Sequence, residues 1–136
     1  MKSKNLKLQA FSFMELMVVL IIIGILVLIA MPNLMPMISK TKSTEAKLQL
    51  EHVHTLEKTF FFEHSKYSKD LAEIGFEQSP LSIEGNGTAN YKIEIIEAGQ
   101  ANFIAKATAV VDFDGDGIFN VWEIDHNKNL KEVTKD

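Results

Sequence analysis

The run FSFMELMVVLIIIGILVLIA at residues 11–30 constrains this chain more than any other feature, because it carries a single charge, Glu15. A helix of about 20 apolar residues matches a bilayer hydrocarbon core of ~30 Å. The whole chain has 136 residues, room for one small domain, and a segment of this kind does not belong to a soluble core. The roughly 75 C-terminal residues must supply the folded head, and a core that small is marginal by itself. The head is therefore expected to lean on the helix that leads into it and on neighbours in an assembly.

Lys2, Lys4 and Lys7 stand ahead of the apolar run, where the positive-inside rule places a cytoplasmic flank. The expectation is a single-pass protein of the cell membrane with its head outside the cytoplasm. The net charge is −4, and those three lysines lie outside the head, so the remainder is more acidic still. Such a surface repels phosphate backbones, and no nucleic-acid binding is indicated. The chain has no cysteine, so the head has no disulfide despite its expected export.

Two ordinary explanations of the N-terminus fall short. A secretory signal peptide has a short apolar region ending in a small-residue cleavage site, but here the apolar run is long and Met31-Pro32-Asn33 is no such site. A plain signal-anchor accounts for the length and the lysines. It leaves Glu15 unexplained, since a carboxylate costs up to ~3 kcal/mol at the bilayer centre and marks a functional position by default.

The residues Lys7-Leu-Gln-Ala10 followed by Phe11-Ser-Phe-Met-Glu15-Leu-Met17 resemble the class III signal of type IV prepilins and of type II secretion pseudopilins. In that family a short basic leader ends in a small residue, usually Gly, the next residue is usually Phe, and Glu stands fifth in the mature chain. Phe11 and Glu15 occupy both places. Gly24 and Pro32 fall where the family commonly has Gly and Pro within the helix. Ala10 departs from the usual Gly, and Phe13-Met14 from the usual Leu-Ile. The resemblance implies a leader of residues 1–10, cleavage after Ala10 by a prepilin peptidase, and N-methylation of Phe11 by the same enzyme. It implies that Glu15 of one subunit pairs with the Phe11 amine of a neighbour, so that both buried charges are compensated. The other readings of Glu15 are a partner within its own helix or hydration at the membrane edge.

Residues 11–36 read as a transmembrane or filament-core helix in which Gly24, Pro32 and Pro36 are weak points. Residues 37–63 continue it as an amphipathic helix. Ala46, Leu50, Val53, Leu56 and Phe60 recur at spacings of three and four, with Lys47, Glu51, Glu57 and Lys58 as the polar positions between them. His52, His54 and His64 lack the spacing of a helical metal pair and read as packing or solvated side chains.

Residues 64–136 form the expected head. Tyr67 to Phe76 resembles the loop that follows the long helix in many pilins. Gly85-Asn86-Gly87 marks a turn. Residues 91–96 alternate and 102–111 are β-rich, joined as a hairpin by 98–101, while 118–124 and 130–133 read as short strands. The fold class is α+β: a long N-terminal helix packed on a small antiparallel sheet of three to four strands.

Residues 112–123 contain the sharpest chemical signal in the head. Asp112, Asp114, Asp116, Gly117 and Glu123 match the EF-hand calcium loop. In that pattern three Asp carboxylates, the backbone carbonyl of Ile118, Asn120 at the ninth place and a bidentate Glu123 supply six to eight oxygens. Four carboxylates so close repel one another without a cation. The flanks, however, read as strands, and an Asp/Gly turn holding no metal fits the same residues. With calcium as the cofactor, the ion cross-links a loop that no disulfide can staple.

The sequence shows no catalytic triad, cysteine nucleophile, phosphate loop or zinc spacing, so no enzymatic activity is expected. The expected function is structural. The chain is read as a subunit of a type IV pilus that polymerises with other pilin subunits through its helix, served by the inner-membrane assembly machinery, for adhesion, motility or uptake. It passes from the cell membrane to an extracellular pilus. A pseudopilin of a type II secretion system shares the N-terminus, and a non-polymerising membrane-anchored calcium-binding module is the alternative of another class.

Overall fold

The structure, a computed structural model, describes residues 11–136. Its first element is helix α1, Phe13–His64. Ser12 starts it: the Ser12 hydroxyl accepts the Glu15 amide at 3.2 Å and the Ser12 carbonyl accepts the Leu16 amide at 3.1 Å. Serine as N-cap with Glu three residues on is the capping-box pattern, in which the cap satisfies amides that the helix leaves free. The helix runs unbroken through Gly24, Pro32 and Pro36. Each proline lacks an N–H, so the carbonyls of Leu28 and Pro32 have no amide four residues on. Ser65 ends the helix in the left-handed region, φ 54°, with its amide on the Phe61 carbonyl at 2.8 Å.

The chain divides into two compact units, one ending at Leu34 and the other comprising Met35–Asp136. Every described residue of the first is exposed, and this stretch is long and apolar enough to cross a membrane by length and composition.

In the second unit α1 buries one stripe: Ser39, Ser43, Ala46, Leu50, Val53, Glu57 and Phe60. The spacing alternates four and three without a break, as a helix of 3.6 residues per turn requires of residues on one face. The sequence reading of Glu57 as a polar-face residue is thereby corrected. It lies inside, fully buried, while Leu56 is only partly covered. The opposite face carries Leu48 and Phe62, both largely exposed. It also carries Thr41, Thr55 and Thr59, whose hydroxyls bond back to the carbonyls of Met37, Glu51 and Thr55.

Four strands follow: β1 Tyr91–Ala98, β2 Phe103–Ala109, β3 Val121–Asp125 and β4 Leu130–Thr134. They form one antiparallel sheet in the order β1-β2-β3-β4. Period-two alternation turns Tyr91, Ile93, Ile95, Phe103, Ala105, Ala107, Ala109 and Ile124 inward, where they join the helix stripe in one core. β2 brings three small side chains, Ala105, Ala107 and Ala109, to the core that it shares with Leu50 and Val53. β3 begins at Val121 rather than at Ile118, because the residues before it belong to the acidic loop.

Before the sheet, residues 77–90 close one of its edges. The Gln78 side chain bonds the Tyr91 carbonyl at 3.2 Å and the Ile93 amide at 2.9 Å, which occupies backbone groups that an edge strand would otherwise expose. Gly87 packs so tightly on the Leu81 carbonyl that a Cβ there has no space.

Candidate functional site

The N-terminal determinants sit on the first unit. Ala10 and the rest of the 1–10 leader lie outside the described residues. Phe11 precedes α1 and is exposed, and Glu15 is exposed in the first helical turn, the one charged side chain between residues 11 and 34. Gly24 has open space around the position of a Cβ, and Pro32 lies within the same exposed stretch.

The acidic loop joins β2 to β3. Gly115 and Gly117 take φ of 82° and 86°, a left-handed conformation that glycine adopts at little cost. Their amides both reach Asp112, Gly115 to Oδ1 at 2.6 Å and Gly117 to Oδ2 at 2.7 Å. The Gly117 amide, followed by those of Gly115, Asp114 and Asp116, holds the Asp112 carboxyl below its ordinary range. Asp114 accepts the Asp116 amide at 3.1 Å, and Asp116 accepts the Ile118 amide at 2.7 Å. Partial desolvation, then the charges of Asp116, Asp136 and Asp112, push Asp114 the other way, above its ordinary range.

A fourth carboxylate completes this cluster. Asp136 brings an oxygen to Asp112, Asp114 and Asp116 such that all four lie within 4.8 Å of one another. It is held by the Phe113 amide on Oδ2 at 3.0 Å and by the Ser39 hydroxyl on its backbone carbonyl at 2.8 Å. Its Oδ1 is buried with no hydrogen-bond partner in the protein. Sequence reasoning missed Asp136, which is remote from the loop in sequence. The usable signal was the β3–β4 hairpin: pairing Val121 with Thr134 returns the chain to the base of the loop.

Asn120 and Glu123 are engaged elsewhere. Asn120 is fully buried and accepts the Tyr91 hydroxyl at 2.7 Å, while its amide nitrogen donates to Glu132 at 2.7 Å and to the Thr134 carbonyl at 3.0 Å. Glu123 is a β3 residue in register with Lys106 and Lys131, and Lys106 is in turn in register with Glu94. Charges thus alternate in sign along one row across all four strands, with Lys131 and Glu123 3.4 Å apart. Strand geometry therefore takes Glu123 out of the EF-hand set. The Ile118 side chain is exposed. The remaining donor set is four carboxylates, all hard oxygens, which suits calcium rather than a thiophilic metal.

A long helix, apolar and then amphipathic, with a four-stranded antiparallel sheet against its second half defines an α+β subunit of the helix-and-sheet kind. No family model matches the chain. It is 43% identical over 72 residues to the type IV major pilin protein PilA of Myxococcus xanthus, an alignment that covers 53% of this chain and 33% of that protein. It is 27% identical over 86 residues to the type IV major pilin protein PilE1 of Neisseria gonorrhoeae, covering 63% of this chain and 48% of the relative. The chain thus spans between a third and a half of the length of these relatives. Both are type IV major pilins, and the long N-terminal helix with its small antiparallel sheet is consistent with a type IV pilin.

Proposed function

We propose that this chain is the structural subunit of a type IV pilus, cleaved after Ala10, methylated at the Phe11 amine and polymerised through its N-terminal helix. The observation that carries this reading is Glu15, the one carboxylate in an exposed apolar helix long enough to span a membrane. Isolated in hydrocarbon or in the packed centre of a filament, such a group is strongly unfavourable. Next to the cationic amine of a neighbouring Phe11 it is compensated. Similarity to two major pilins favours a pilus over a secretion pseudopilus. Prepilin peptidase and the inner-membrane assembly machinery are the partners this route requires, and the head faces away from the cytoplasm before the subunit enters an extracellular fibre.

The same reading assigns calcium to the acidic loop. Asp112, Asp114, Asp116 and Asp136 would hold the ion, with the buried Oδ1 of Asp136 as the oxygen that otherwise has no partner. Bound there, calcium would offset the charge of the cluster and fasten the 112–118 loop to Asp136, just beyond β4, which Ser39 ties to α1.

Replacing Glu15 tests the assembly claim. Glu15→Ala leaves the subunit stable in the membrane and sharply reduces its entry into filaments, because the neighbouring ammonium loses its partner. Filament yield equal to that of the unaltered chain would exclude the pairing.

A further inference from the structure

The buried stripe of α1 contains one ionisable side chain, Glu57, and nothing in the pilus reading uses it. Its exposure is 0%. One carboxyl oxygen, Oε2, accepts the Ser68 amide at 3.1 Å. The other, Oε1, is buried with no partner. Among the described residues no lysine or histidine forms an ion pair with it.

What surrounds Glu57 offers no compensating cation. On its own helix, Lys58 turns to the Tyr67 hydroxyl at 2.9 Å, and His54 turns to the His126 carbonyl at 3.3 Å. From the sheet, Phe103 packs against Tyr67 and His54 and brings no charge. From the 65–76 loop comes a second carboxylate, Glu73, which is hydrogen-bonded to the Ser68 hydroxyl. Ser68 is itself buried and stands between the two acids. Its hydroxyl also accepts the Asp70 amide at 3.0 Å.

The loop depends on this point. It begins at the strained Ser65 and contributes Tyr67, Ile74 and Phe76 to the core. It is fastened at the Tyr67 amide to the Gly99 carbonyl, at 2.9 Å, and at Ser68 to Glu57. A negative charge on Glu57 would sit in a dry site with one oxygen unsolvated and a like charge beyond Ser68.

We propose that Glu57 is a proton-operated latch: protonated, it holds the 65–76 loop closed on α1, and on losing its proton it drives that loop to open and admit water. Burial first, and the Glu73 charge after it, push the Glu57 carboxyl up to about 7, against the lowering effect of the Ser68 amide. In the opened loop the group returns to its ordinary value of 4.5. The sign follows from linkage, since the closed state binds the proton that the open state releases. The closing contribution is complete below about pH 4.5, declines as the pH rises, and has gone above about pH 7. The latch thus works between about pH 4.5 and pH 7, loosening the loop on the alkaline side.

The experiment is amide hydrogen exchange of the full chain in detergent micelles from pH 5 to 8, corrected for the intrinsic exchange rate. Protection of the Ser68, Ile74 and Phe76 amides is expected to fall roughly tenfold per pH unit between pH 5 and 7 and then level off. Protection in β2 should change little over the same range. In Glu57→Gln, which keeps the shape and removes the proton, loop protection is expected to be flat with pH. Direct titration of the Glu57 carboxyl carbon by NMR in the unaltered chain decides the matter if that variant does not fold, with a midpoint expected near neutrality. Loop protection that is independent of pH in the native chain, an equal slope in the Gln variant, or a carboxyl titrating near its ordinary value would each overturn the latch.

Discussion

Leu50 and Leu48 lie two positions apart on α1 and should behave as opposites. Leu50 is fully buried against the sheet, whereas Leu48 is 64% exposed. Leu50→Ala removes three carbon centres, worth about 0.8 kcal/mol each in transfer free energy, or roughly 2.4 kcal/mol. A cavity term adds to this, because the neighbours cannot collapse freely: on the helix Ala46 and Val53 are fixed by the 4-3 stripe, and the sheet side of the same core includes β2, which is hydrogen-bonded on both sides. The expected loss is about 3–4 kcal/mol, within the usual span for buried leucine truncations. In a domain of roughly 100 residues that lowers the melting midpoint by at least about 12 °C. Leu48→Ala should change stability by no more than about 0.5 kcal/mol. The assay is thermal unfolding of the full chain in detergent followed by near-ultraviolet circular dichroism, to which Tyr67, Tyr91 and Trp122 contribute from in or against the core. Equal shifts for the two variants, or a larger shift for Leu48→Ala, would refute the placement of the helix face.

Two further outcomes are expected. Gly87→Ala should destabilise the head by about 1–3 kcal/mol, because the added methyl meets the Leu81 backbone; chemical denaturation measures this. Millimolar calcium should raise the melting midpoint over that in chelator, by the equivalent of about 2.7 kcal/mol at a hundredfold excess over Kd. Asp112→Ala and Asp136→Asn should abolish or strongly weaken that response while Glu123→Ala leaves it intact, and identical curves with and without calcium would remove the metal from the account.

Periodicity made much of the fold legible. The four strands lie close to where alternation and turn residues place them, and Ala46, Leu50, Val53 and Phe60 are core residues. The sequence reading put Leu56 in the stripe and Glu57 outside it, although Glu57 stands four residues after Val53 and three before Phe60 and is the buried one. Its charge argued for solvent, but tertiary packing decided otherwise. The acidic loop was readable only in part. Asp112, Asp114 and Asp116 converge because three alternating aspartates, with Gly115 between the last two and Gly117 after them, make a tight turn by themselves. Asp136 depends on a long-range hairpin pairing, and Glu123 on the facing of a strand. Neither is contained in a twelve-residue pattern. The Ser12 cap was written in the sequence as Ser-x-x-Glu, but Glu15 drew attention as a buried charge rather than as the third residue of a helix.

Intact-mass analysis of fibres sheared from cells that make this chain tests the central claim most directly. If the chain is a pilus subunit, the fibres contain it as a polymer whose protomers begin at Phe11 and carry one methyl group on the Phe11 amine. Cells that form no such fibre, with the chain left in the membrane fraction still starting at Met1, would contradict the account.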